Sequence, residues 1–291
     1  MTDFVFIDSG VGGIPYMTAL LQKEPEASCV YVADNANFPY GEKSHEEVVN
    51  CVVSVVQKIC DKFDPRVIVL ACNTISVNAL ETVRQKFTNV KFVGTVPAIK
   101  LAASVSKKKR IGLIATSSTC ENPYNIELKN KFAADCELVM RADAELISFI
   151  EENGFTATDS ELENAVRPAI DFFAQKDCDV LVLGCTHFLN IKSVFEKVSR
   201  TLAVPELVEG QGPHACSIQI VDSVDGVVRQ MIKVREEMGA LRQAQGPLSV
   251  AQGPHSVVQE AQLYTTSDIS SELSKYKEIC GHLNIRFGGK I

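Results

Sequence analysis

Residues 66–74 read RVIVLACNT, and residues 179–187 read DVLVLGCTH. Each is a short run of apolar, mostly branched residues that closes on a small residue, a cysteine and then polar hydrogen-bonding side chains. Uninterrupted apolar runs of this length predict strands buried on both faces, as in parallel sheets covered by helices. The two cysteines lie 185 − 72 = 113 residues apart. A second echo pairs FVFIDSGVGG (4–13) with RIGLIATSST (110–119), where a strand opens through small polar residues toward a helix. Two related α/β units are expected, with ligand-binding loops at the carboxyl ends of their strands.

Further strands are expected at VYVA (30–33), KFVG (91–94), LVM (138–140) and IQIV (218–221). Between strands, 43–63 carries apolar residues at 48, 49, 52, 55, 56 and 59, the stripe of an amphipathic helix. Similar patterns predict helices near 13–23, 76–87, 98–106, 121–133, 161–175, 190–200, 224–237 and 269–280. The fold class is therefore α/β, as two pseudo-symmetric domains with mainly parallel sheets. The expected division is 1–96 plus 209–291 for the first domain, with 97–208 inserted as the second and the active site in the interdomain cleft. AQGPLSV followed by AQGPHSV at 244–257, with QGPH also at 211–214, predicts a flexible surface insertion at about 240–258, because Gly-Pro pairs break helix and strand alike.

Composition narrows the function classes. The chain has 291 residues, 46% of them apolar, and a formal charge of −7, which leaves no broad basic field for nucleic acid or an anionic membrane. Asp3 follows the start Met closely without a basic-then-apolar leader, and no apolar stretch has the length of a membrane span. A cytoplasmic protein is expected. The ten cysteines include no C-x-x-C pair, so most are expected as reduced thiols packed as small hydrophobes. Lys107, Lys108, Lys109 and Arg110 read as a solvated turn.

Cys72 and Cys185 stand apart from the rest because each is expected at a strand end ahead of a helix, where amides and dipole favour a thiolate. Moving a proton off one face of a carbon and returning one to the opposite face needs two acid/base groups, and two thiols on related units supply them. A single-thiol hydrolase, a zinc site using Cys185 and His187, and a redox protein with a Cys72–Cys185 disulfide are the competing uses. Asp8 and Ser9 open a loop in which Gly10, Gly12 and Gly13 let backbone approach a ligand. DSGVGG has neither the dinucleotide-binding spacing nor a Walker lysine.

With these residues in view, the chain resembles the cofactor-independent glutamate racemases of the aspartate/glutamate racemase superfamily. The resemblance rests on FIDSGVGG (6–13), ADNANFPYG (33–41), LACNT (70–74), VPAI (96–99), IATSST (114–119), LGCTH (183–187), VDS (221–223) and YTTSD (264–268). It implies that Cys72 exchanges the α-proton with D-glutamate and Cys185 with L-glutamate, assisted by Asp8 and His187 respectively. It further implies substrate binding by Asp8, Ser9, Asn73, Thr74, Thr116, Thr119, Thr186 and His187, with backbone at Tyr40 and Gly41. Asp34 and Glu151 fall where the family carries auxiliary carboxylates, with Glu152 as the adjacent alternative. The implied enzyme needs no metal and no cofactor, binds no nucleic acid or membrane, forms a homodimer and supplies D-glutamate for peptidoglycan. Phe188-Leu189 stands where the family reads aromatic-Pro, and Ile75 where it has Ala. Related racemases or decarboxylases acting on aspartate, hydantoins or malonates, and an inactive amino-acid-binding module, are the rival readings.

Overall fold

The computed structural model describes residues 2–201, 217–244 and 261–291. The chain divides into two compact units, Met1–Thr95 with Val224–Ile291, and Val96–Ser223. The first begins with β1 (Thr2–Asp8), α1 (Ile14–Lys23), β2 (Cys29–Ala33), α2 (His45–Phe63), β3 (Pro65–Leu70), α3 (Asn73–Lys86) and β4 (Lys91–Gly94). The second contains α4 (Ile99–Val105), β5 (Arg110–Ala115), α5 (Ser117–Glu121), α6 (Tyr124–Phe132), β6 (Glu137–Ala142), α7 (Ala144–Asn153), α8 (Asp159–Gln175), β7 (Val180–Leu183), α9 (His187–Asn190), α10 (Lys192–Thr201) and β8 (Gln219–Val221). The first unit resumes with α11 (Val224–Ala244), β9 (Gln262–Thr265), α12 (Ser270–Leu283) and β10 (Arg286–Lys290).

The sheets run β10-β9-β2-β1-β3-β4 and β6-β5-β7-β8, and every pairing is parallel. The order β2-β1-β3-β4 repeats as β6-β5-β7-β8, so the duplicated sequence corresponds to a duplicated topology. Register matches as well. Ile7 pairs with Leu70 in one sheet and Ile114 with Leu183 in the other. The Ala71 amide then donates to the Ile7 carbonyl (2.9 Å) and the Gly184 amide to that of Ile114 (2.8 Å). Each cysteine thus leaves its sheet at the same level of the same strand.

Helix α2 shows how local sequence builds the layers. Ser44 and Glu47 close a reciprocal capping box at its start, Val48, Val52, Val55, Val56 and Ile59 bury one face, and Asp64 ends it in the left-handed region at φ 44°. That face packs with Val5, Ile7, Ile68 and Leu70 in the core of the first unit. In the second unit, Phe173, Phe188 and Phe195 pack with Leu181 and Leu183 against one face of the sheet.

The inserted unit extends further than expected. The sequence expectation has the first domain resume at 209 and so include 219–221; β8 instead pairs with β7, and the first unit resumes at Val224. Helix α11 runs to Ala244, and the rest of the expected insertion, 245–258, lies outside the described residues. The helix expected at 121–133 breaks into α5 and α6 at Asn122-Pro123, as a proline requires. No described helix is long and apolar enough to cross a membrane. The Lys107–Lys108 turn is held by Asp179, whose carboxylate accepts from both amides (2.6 and 2.8 Å) and from the Ser106 hydroxyl (2.6 Å).

Gly13 fixes the spacing of the loop after β1. A Cβ there would lie 2.6 Å from the Ala71 carbonyl oxygen and 2.7 Å from the Ala71 Cβ, while the Tyr31 hydroxyl donates to the Gly10 carbonyl (2.8 Å) and accepts from the Gly13 amide (3.0 Å). Because backbone must shift to admit a methyl group, Gly13→Ala is expected to cost about 1–3 kcal/mol of stability and to displace Cys72, one residue beyond Ala71. Urea unfolding midpoints check the first effect; an unchanged midpoint would show that the loop yields without cost.

Candidate active site

In the first unit, Asp8 is fully buried at the end of β1 and Cys72, 7% exposed, follows β3. The β1–β3 register brings these two strand ends side by side. Cys72 occupies the N-cap of the 14-residue helix α3, where the unpaired amides and dipole stabilise a thiolate. The Ser9 amide donates to Asp8 Oδ1 (2.6 Å). Asn73 and Thr74 open α3 and are buried, and Asn73 Oδ1 has no hydrogen-bond partner among the described residues. An unpaired buried amide oxygen costs about 1–3 kcal/mol, and a bound donor such as an ammonium group would recover it. Tyr40 and Gly41 form a 3-10 turn with Glu42, and Tyr40 packs in the same apolar cluster as Cys72 and Ile75. Ile75 is fully buried there, as a core residue behind the strand end.

Asp34 sits at the end of β2 without any exposure. Its carboxylate accepts hydrogen bonds from Asn37, from the Tyr40 hydroxyl and from the Thr266 hydroxyl. Burial and the neighbouring Asp34 charge hold the Tyr40 phenol well above its ordinary range. Asn37 and Thr266 had no role in the sequence reading; ADNANFPYG and YTTSD mark the segments, but not their meeting across more than two hundred residues.

In the second unit, Cys185, Thr186 and His187 are all buried at the end of β7. The His187 ring lies between two partners: Nδ1 is 3.6 Å from the Cys185 sulfur and Nε2 is 2.8 Å from Glu151 Oε2. A carboxylate only accepts, so Nε2 carries a proton, and Nδ1 either accepts from the thiol or, in the imidazolium, donates to the thiolate. Burial pushes the His187 value down, but the hydrogen bonds and negative charge of Cys185 and Glu151 outweigh it and hold the ring well above 6.5. Glu151, not the exposed Glu152, makes this contact, and it comes from α7, a helix the sequence reading did not identify. The Asp143 carboxylate caps α7 at the Leu146 amide, and Leu146, Ile147 and Ile150 bury its inner face; the D-x-x-L start with that spacing is the signal available in sequence.

Thr116 caps α5: its hydroxyl accepts from the Thr119 amide (3.1 Å) and donates to the Thr119 hydroxyl (3.0 Å). The β5–β7 register sets this turn beside the strand end that carries Cys185. The two thiols therefore differ in support. Cys72 has a long helix at its back, whereas Cys185 precedes only the four-residue α9 and leans on His187 and Glu151. No disulfide joins the described cysteines. Burial, reinforced by Asp3, pushes the Cys29 thiol up to about 12, and burial raises Cys178 and Cys280 to about 11, which marks them as inert. Among the described residues, no group of three or more His, Cys, Asp or Glu is placed to hold a metal ion.

Known proteins resemble this chain in sequence and fold. The Asp/Glu/Hydantoin racemase family pattern matches residues 9–231. A glutamate racemase from Treponema pallidum (strain Nichols) is 41% identical over 79% of this chain and 80% of its own. One from Actinobacillus pleuropneumoniae (serotype 3, strain JL03) is 39% identical over 66% and 71%. The Escherichia coli glutamate racemase crystallised with L-glutamate and an activator superposes with a TM-score of 0.78 at 27% identity, covering 100% of this chain and 98% of that one. The Francisella tularensis glutamate racemase, with a TM-score of 0.66 at 22% identity over 96% and 92%, shares the fold. With duplicated strand ends, paired cysteines and sequence matches of this extent, the chain belongs to the Asp/Glu/Hydantoin racemase family.

Proposed function

We propose that this chain interconverts L- and D-glutamate, with Cys185 removing the α-proton of L-glutamate and Cys72 that of D-glutamate. In each turnover one cysteine acts as thiolate and the other as thiol: the first takes the proton, the second returns one to the opposite face, and no net proton or electron is consumed. The observation that carries this reading is the pair of cysteines after strands of matching register, Cys185 with His187 Nδ1 at 3.6 Å and Cys72 following the strand next to the one that ends in Asp8, in a chain 41% identical to a glutamate racemase. An α-hydrogen beside an ammonium and a carboxylate is a very weak acid, so the negative charge that develops must be held by fixed donors. The amides that open α3, with Ser9, Thr74, Thr116, Thr119 and Thr186, supply donors; Asn73 Oδ1 suits the ammonium group, and Tyr40 and Gly41 contribute backbone.

Asp8 serves Cys72 and His187 serves Cys185 as proton-tuning neighbours. In this reading the enzyme works in the cytoplasm as a homodimer, needs neither metal nor pyridoxal phosphate, and provides D-glutamate for peptidoglycan. Family membership supports these last assignments.

The test is incubation of metal-stripped protein with L-glutamate in D₂O without pyridoxal phosphate. Circular dichroism should decay to zero while the D-enantiomer that forms carries α-deuterium and the recovered L-enantiomer is initially protiated, because the second thiol donates a solvent-derived deuteron. Turnover of aspartate with glutamate left unchanged would transfer the activity to another substrate of the family.

A further inference from the structure

The YTTSD segment at 264–268 has no part in the proton transfer proposed above, yet it meets the substrate-binding turn through one buried carboxylate. Asp34 Oδ1 accepts from Asn37 Nδ2 (3.0 Å) and from the Thr266 hydroxyl (2.6 Å); Oδ2 accepts from Asn37 Nδ2 (2.9 Å) and from the Tyr40 hydroxyl. Asn37 Nδ2 spans both oxygens with one forked N–H, so three neutral donor groups, from Asn37, Tyr40 and Thr266, hold the carboxylate. The group is fully buried, and its own amide is bonded to the Asp8 carbonyl (2.7 Å). A buried carboxylate held by three fixed neutral donors, two from the 35–41 turn and one from the segment after β9, joins those chain segments.

The same contact is doubled by its neighbour. Asn35 Oδ1 accepts from the Ser267 amide (2.9 Å), and the Ala36 amide donates to the Thr266 hydroxyl oxygen (3.1 Å). Thr266 therefore donates to Asp34 and accepts from Ala36, bridging the end of β9 to the start of the 35–41 turn. We propose that Asp34 and Thr266 form a positioning clasp through which the segment after β9 holds the Tyr40-Gly41 turn in its substrate-binding conformation. This rests on the glutamate reading of the site. The segment after β9 thus acts on substrate affinity from outside the reacting groups.

The experiment uses Thr266→Val, which removes both bonds at constant shape, Thr266→Ser, which keeps them, and Asp34→Asn, all in the full chain. Kinetics are measured with both enantiomers, alongside amide hydrogen exchange of peptides covering 35–42. L- and D-glutamate have equal free energy, so kcat/KM stays equal in the two directions in every variant. A clasp predicts that Thr266→Val raises KM for both enantiomers by a common factor of about ten, the equivalent of one charge-assisted hydrogen bond. The ratio of the two kcat values should stay unchanged, exchange across 35–42 should quicken, and Thr266→Ser should restore both. Unchanged KM and exchange in Thr266→Val would overturn the proposal, as would an Asp34→Asn enzyme whose two kcat values diverge or whose pH profile moves, since that marks an acid/base group. If the wild-type protein leaves glutamate unchanged, the functional reading and the affinity role fall together, and exchange alone judges the clasp.

Discussion

Cys185→Ala should lose L/D interconversion by at least about 10³-fold, within the range a positioned proton-transfer group contributes, yet still wash the α-hydrogen of D-glutamate into D₂O. Cys72→Ala should do the converse, exchanging L-glutamate without inverting it. With one base gone, the remaining thiolate can still take a proton from the enantiomer it faces, but only that same thiol can return one, so configuration is retained. One-sided exchange distinguishes loss of a proton-transfer group from general damage, which would abolish both activities. Nuclear magnetic resonance of the α-position, with each pure enantiomer, reads the outcome. Cys29→Ala makes a suitable control, because its thiol is buried and pushed up to about 12, outside the range of a working base. Either active-site variant racemising at near wild-type rate would end the two-thiol mechanism.

How much of this was legible in sequence depended on the kind of signal. The apolar runs ending at Leu70 and Leu183 read as buried strands, and their repeated Cys-polar endings predict two matched strand ends, where β3 and β7 place them. β10 was missed because RFGGK carries two glycines, residues that weaken strands. At Gly288 a Cβ would lie 2.3 Å from the Tyr264 ring, so the ring packs over the bare backbone of that glycine. Tertiary packing selects glycine at that position against local propensity. Glu151 was expected from family resemblance alone, with Glu152 as rival, because partners 36 residues apart leave no trace in spacing; the turn of α7 toward His187 decides it. The Asp34–Thr266 contact has a separation of 232 residues and was equally invisible. Periodicity reports which face is buried, but not which polar groups meet once it is.

Glu151→Gln should separate the two directions of the reaction, and the reason lies in what the carboxylate does to His187. The imidazole is buried beside a sulfur, and burial alone would strip its proton; Glu151 and Cys185 reverse that and hold it charged well above 6.5. A glutamine keeps the shape and an acceptor oxygen but removes the charge, so the His187 value falls toward what burial imposes, and a Cys185 thiolate keeps less of the cation 3.6 Å away. With Cys185 as the base we propose for L-glutamate, kcat with that enantiomer should fall by about 10²-fold while kcat with D-glutamate falls less. Because kcat/KM remains equal in both directions, the two KM values must separate by the same ratio, an internal check on the data. Stability should move in a defined direction too. A histidine whose folded value is raised above 6.5 adds stability that is complete below that pH and drains away as pH rises through the folded value. The wild type's advantage over Glu151→Gln in urea unfolding should therefore be greatest in mild acid and shrink through the alkaline range. Equal loss of kcat in both directions, together with a stability difference that ignores pH, would show that Glu151 only fills space beside the ring.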